Sequence, residues 1–187
     1  RGPCRGDAEK HGPIRITMSE IDVSSPVPKP AAPLWKSRLT LRALGLLKVP
    51  MIGWSRASLT EMTDDRCVVT IPLRRRTKNH LGSMYFGALA VGADLAGGLL
   101  AFSWIQRIDP RVSLVFKDFR ADFLRRPEGD VTFTSEDGAR MRALVERAAA
   151  TGERRQDTVR VTARCPDRSG DEPVAEFTLT ISVKRRS

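Results

Sequence analysis

Asp94 is the only acidic or basic side chain between Tyr85 and Gln106, the longest apolar run in the sequence. A carboxylate in such a segment is costly unless it is paired, neutralised or used. Three readings follow. The run is long enough to cross a bilayer, but Asp94 and the glycines at 87, 92, 97 and 98 count against a lipid-facing helix. It also suits a buried helix of a soluble fold in which Asp94 is simply hydrogen-bonded. The third reading keeps that helix and makes Asp94 a working group at a cleft or interface, where burial tunes its proton affinity.

Other residues offer less. The three cysteines, Cys4, Cys67 and Cys165, are odd in number and lack CxxC spacing, so neither a disulfide framework nor a zinc site is expected. Two histidines, His11 and His80, are too few for a histidine-based metal centre, and no cofactor is expected. The cysteine usage points to a reducing, cytoplasmic compartment. The net charge of +10, with a pI near 10.4, reads either as a solvated arginine-rich surface or as attraction to phosphate groups. Aromatics make up 6% and do not interleave with the basic residues, which argues against nucleic-acid binding by base stacking.

The elements that must position Asp94 can be read around it. Residues 1–32 are rich in proline and turn formers and are expected to be a disordered tail. Within them, 1–17 read as an expression-derived remnant or a translated upstream stretch, since Met18 is the first methionine. Residues 33–187 then form a single domain. Pro33 to Gly53 has a helical pattern, with Trp35, Leu39, Ala43, Leu46 and Leu47 on one face and Pro50 as the break. This basic amphipathic segment suits packing across a sheet edge or into a partner, or lying on a membrane. Ser58–Met62 and Arg66–Leu73 read as strands. The basic cluster Arg74–Lys78 and the turn Asn79–Ser83 lead into the apolar helix. Val112–Leu124 is a long strand whose apolar phase switches near Lys117-Asp118, the sign of a bulge. Val131–Thr134 is a short strand. Met141, Leu144, Val145 and Ala148 form an amphipathic helix stopped by Gly152. Two alternating strands, around Val159–Ala163 and Ala175–Val183, flank a hairpin loop from Asp167 to Pro173. One very apolar helix with a long antiparallel sheet implies an α+β fold in which the sheet wraps the helix.

The segment Asn79-His80-Leu81-Gly82-Ser83-Met84-Tyr85-Phe86-Gly87-Ala88-Leu89, followed by Asp94, resembles the central-helix motif of hotdog-fold acyl-CoA thioesterases, the PaaI-like type being nearest. That motif carries His-Gly-Gly with an Asp nine residues after the His. Here Tyr85 stands at the His, Phe86 at the first Gly and Gly87 at the second, and Asp94 keeps the acid's place. Trp35 to Lys184 resembles a less characterised hotdog branch with Tyr-Phe-Gly-Ala in place of His-Gly-Gly.

The resemblance implies a hotdog fold and hydrolysis of an acyl thioester such as acyl-CoA. Asp94 would activate water or attack the carbonyl, and the Gly87 amide at the helix start would bind the oxyanion. Asn79 would orient the water or thioester oxygen, or else serve as a turn residue. Tyr85, Phe86 and Gly82 would contact substrate, with packing at a dimer contact the other reading for Tyr85. His80 reads as a surface or structural residue. Arg76 and Lys78, from the Arg74–Lys78 cluster, would meet the coenzyme A phosphates together with Arg125 and Arg126, or form a solvated face. A homodimer, or a tetramer built from it, is implied, with each site drawing on both chains. Ala88, Gly92, Ala93, Ala96 and Gly97 would let the paired helices approach closely.

The main competitor is a non-catalytic acyl-CoA or lipid-binding module, favoured by the missing His-Gly. An enoyl-thioester hydratase would need an Asp–His pair, and neither histidine lies on the helix with Asp94. No nucleic-acid partner and no membrane span are expected.

Overall fold

The structure is a computed structural model describing residues 33–186 apart from 44, 46 and 47, so the tail expected over 1–32, and Leu46 and Leu47 of the first helix, lie outside the described residues. The elements run α1 (Leu34–Ala43), α2 (Pro50–Ser55), β1 (Ser58–Met62), β2 (Cys67–Ile71), α3 (Phe86–Ile108) and β3 (Val112–Phe123), continuing as β4 (Val131–Ser135), α4 (Gly138–Thr151), β5 (Arg155–Arg164), α5 (Pro166–Ser169) and β6 (Pro173–Arg185). All strand pairs are antiparallel and form one six-stranded sheet in the order β1-β2-β4-β5-β6-β3.

The alternation of β2, β4, β5 and β6 turns Cys67, Val69, Ile71, Phe133, Val161 and Ile181 to one concave face. That face wraps α3, as the hotdog resemblance implied. The helix is long and apolar enough to cross a membrane, yet most of it is buried inside the fold, so its hydrophobicity serves the core. Gly92 marks how close helix and sheet come: a Cβ there would collide with the Phe133 ring. Ala93, Ala96 and Gly97 also face the chain's own sheet. The small residues expected to let two copies of the helix meet are therefore spent inside one chain, because a helix can enter a concave sheet only where its side chains are short. Met141, Leu144, Val145 and Ala148 of α4 are fully buried and close the core, and Gly152 ends the helix in the left-handed conformation (φ +72°).

Two expectations need correction. Pro50 does not simply end a helix; it occupies the first turn of α2, where its missing N–H costs nothing. The face carrying Trp35 and Leu39 points to solvent, while Leu41 is buried, because the leucines at 34 and 41 supply a second stripe and that one meets the sheet. α1 does lie across a sheet edge: Arg38 Nε donates to the Leu59 carbonyl of β1 at 2.8 Å. The loop before β6 also holds the single-turn α5.

The other edge is β3. Among the described residues it pairs only with β6, and its ladder slips between Phe116 and Asp118, where the phase switch placed a bulge. Val115, Phe116, Phe119 and Phe123 are exposed along it.

Candidate active site

α3 buries one side and leaves a stripe open. Positions 87, 91, 94, 98 and 102 recur every three or four residues and are half-buried or exposed, so Gly87, Val91, Asp94, Gly98 and Phe102 share the outward face. Asp94 sits in the middle of that stripe. Among the described residues nothing hydrogen-bonds or ion-pairs with its carboxylate. Burial pushes its carboxyl up from the ordinary carboxylate value, with no neighbouring charge involved. A desolvated, unpartnered carboxyl beside an open face is chemically poised, whereas a structural Asp would be tied down.

The wall beside it is aromatic. The Phe116 ring lies over the gap at Gly98, 3.1 Å from where a Cβ would stand, and Asp94 Oδ1 borders the same gap at 3.8 Å. From the core outward, Phe133 packs on Phe177 with centroids 6.4 Å apart, and Phe177 on Phe119 and Phe123 at 5.6 and 6.2 Å. An apolar surface thus runs from the buried interior to the open edge. These phenylalanines were not singled out as site residues; the β3 phase switch was the signal that placed them.

The start of α3 is built separately. Thr77, buried, donates from Oγ1 to the Pro72 carbonyl at 2.7 Å, and its own carbonyl accepts from the Tyr85 amide at 2.8 Å. The Met84 amide donates to Pro127 at 2.9 Å. Within this loop Asn79 works for the turn: its Oδ1 accepts from the amides of Leu81 and Ser83, and its Nδ2 donates to Ser83 Oγ at 3.0 Å. Gly82 holds a positive φ of +83° that the turn requires. The helix begins without a side-chain cap, and among the described residues the amides of Phe86 and Gly87 have no hydrogen-bond acceptor. The Tyr85 ring folds over Gly87, its Cε1 2.6 Å from where a Cβ would be, and packs on Phe86 at 4.8 Å between centroids.

A cavity of about 320 Å³ opens at this end, lined by Asn79, His80, Tyr85, Phe86, Arg125 and Arg126 among others. Asn79, Tyr85 and Phe86 therefore come together. Gly82, Lys78, Gly87 and Asp94 do not line the cavity, and Arg76 is turned away to stack on Trp54 at 4.4 Å. Arg125 pairs with Glu172 at 2.6 Å. Gly87 and Asp94 lie seven residues apart on α3, about 10 Å along the axis. Cys67 and Cys165 are free and buried; burial, with the charge of Glu61, pushes the Cys67 thiol up to about 12, which leaves it inert.

Solved structures share this fold. PA5026 of Pseudomonas aeruginosa, described as a protein of unknown function and probable thioesterase, matches with a TM-score of 0.68 and 23% identity, over 84% of this chain and 99% of that one. OLEI01261 of Chlorobaculum tepidum, of unknown function, matches with a TM-score of 0.71 and 11% identity, over 82% and 97%. The thioesterase HI1161 of Haemophilus influenzae matches with a TM-score of 0.61 and 16% identity, over 84% and 94%. At these identities the likeness establishes the hotdog fold and nothing finer. No curated protein matches the sequence. A family profile described as "Domain of unknown function (DUF4442)" matches residues 37–183, most of the chain, and the protein accordingly belongs to the DUF4442 family.

Proposed function

We propose that this protein hydrolyses an acyl thioester, with Asp94 as the general base or nucleophile and the Gly87 amide as the oxyanion donor. The observation that carries the reading is the unpartnered, desolvated carboxyl on the open stripe of α3. The uncapped amides at the helix start supply the second requirement, donors with no other acceptor, in a place the helix dipole makes favourable to negative charge. The thioesterase descriptions of PA5026 and HI1161 agree with this chemistry.

The two groups lie about 10 Å apart along one helix, far for a single carbonyl to touch both. A second copy paired through β3 would bring the helix start of one chain towards Asp94 of the other, so the proposed site is shared between two chains. The exposed phenylalanines of β3 would line the acyl path. Arg125, Arg126 and Lys78 would face the phosphates if the carrier is coenzyme A. Asn79 serves this site by holding the loop that presents Gly87.

A panel of acyl-CoA thioesters, assayed by release of free thiol, tests the reading. Asp94→Ala is expected to lower turnover by roughly 10²–10⁴-fold with the fold and oligomeric state unchanged. Turnover equal to that of the unaltered protein would sink it. One observation favours a second reading, acyl-thioester binding without hydrolysis: the Tyr85 ring covers the Gly87 donor. Saturable binding of acyl-CoA with no thiol release from any chain length would select it.

A further inference from the structure

We infer that the outward face of α1 and α2 docks on an anionic lipid surface, independently of the chemistry at Asp94. Leu41 and Ile52 point inward, which fixes the outward side of each helix. Trp35 and Leu39, one turn apart on α1, are 62% and 60% exposed; Met51 and Trp54, one turn apart on α2, are 61% and 55% exposed. Four large apolar side chains in open water on two adjoining short helices exceed the scattered exposure normal for a soluble surface. The backbones of the two segments touch: a Cβ on Gly45 would stand 2.8 Å from the Gly53 amide nitrogen. The apolar residues are thus carried on one packed unit.

Charge decides what covers them. From Val23 to Thr60 the sequence contains no Asp or Glu, while α1, α2 and their flanks carry Lys36, Arg38, Arg42, Lys48 and Arg56. Glu61, the next acid, is bound to Arg66 at 3.5 Å. Arg76 lies on the Trp54 ring and Lys36 near the Trp35 ring, at 4.4 and 5.4 Å, so cations accompany both indoles. A second copy of the face would set cations against cations with no acid to offset them. An anionic bilayer matches both features: indoles and a leucine enter the headgroup boundary while Lys and Arg meet lipid phosphates.

The test is co-sedimentation of the full chain with phosphatidylglycerol–phosphatidylcholine vesicles and with pure phosphatidylcholine vesicles, read with tryptophan emission. Trp104 is buried, so an emission shift reports Trp35 and Trp54. Binding to the anionic vesicles alone, a blue shift, and release by salt are expected. Leu39→Ser/Met51→Ser and Lys36→Glu/Arg42→Glu should each weaken partitioning by roughly tenfold while the thermal melt stays put. No binding to anionic vesicles, equal binding to neutral ones, or binding untouched by both double variants would overturn the inference. So would a loss of self-association in Leu39→Ser/Met51→Ser without vesicle binding, which marks a contact between copies, or capture by polyglutamate without vesicle binding, which marks an acidic protein partner.

Discussion

The two edges of the sheet meet water in opposite ways. β1 is five residues long, its ladder with β2 is irregular between Leu59 and Glu61, and α1 lies across it with Arg38 on the Leu59 carbonyl. β3 is twelve residues long, pairs on one side only, and exposes phenylalanines on the face that should be core. Soluble proteins shorten, bulge or cover an edge they need to keep alone. One edge here has all three protections. The other is long and uncovered; it has a bulge at Lys117 and the charged side chains Asp118, Arg120 and Asp122, yet the apolar wall beside Asp94 continues along it. A covered edge ends a fold; the open apolar edge is where the proposed second copy would pair.

The comparison breaks most visibly at β3. If that edge joins two copies, Phe119→Arg/Phe123→Arg should cost more than about 2 kcal/mol of association, the range of interface hot spots, and turn a dimer into monomers by sedimentation velocity. Thioester turnover should fall with it. A variant that stays dimeric would locate the contact elsewhere. The effect at the opposite edge is smaller: Arg38→Ala removes one half-exposed hydrogen bond to β1 and should lower stability by roughly 1 kcal/mol, with oligomeric state and turnover unchanged. Denaturant titration reads the first and the thiol assay the second.

The smallest effect sharpens the site itself. A carboxyl whose folded-state value is raised binds its proton more tightly folded than unfolded. Its ionised form therefore costs stability above the folded value, and the cost vanishes below the unfolded one. Asp94→Asn should melt a few degrees higher than the native protein at neutral pH, and the gap should close as pH falls into the acid range. The acid limb of kcat/KM should lie above that of an ordinary carboxylate, since the base works only when ionised.

Much of this was visible in the residues. The alternation of β5 and β6, the Gly152 stop and the bulge near Lys117 follow from local rules: period two, a left-handed cap, a phase switch. Asp94 stood out as one charge in an apolar run. What stayed hidden depends on which neighbour wins. Leucines occur on both stripes of α1, and periodicity alone does not say that Leu41 turns inward while Leu39 stays in water. The small residues of α3 suit a partner helix as well as a concave sheet, and the positions of Phe133 against Gly92 and Val159 against Gly97 decide for the sheet. The commitment of Asn79 to its own loop and the cover of Tyr85 over Gly87 are matters of rotamer and turn geometry that spacing does not encode.

The bulge in β3 also has an arithmetic. Leu114 and Phe116 stand opposite Val183 and Ile181, and Phe119, Ala121 and Phe123 opposite Leu179, Phe177 and Ala175. The partners in β6 run in unbroken steps of two, while β3 takes three residues to go from Phe116 to Phe119. Lys117 is the surplus residue, reaching out to Gln156 Oε1 at 3.0 Å. The strand therefore carries one spare place in its count. A deletion at that place keeps every phenylalanine facing as it does now, whereas losing a residue between Phe119 and Phe123 would turn part of the aromatic wall inside out.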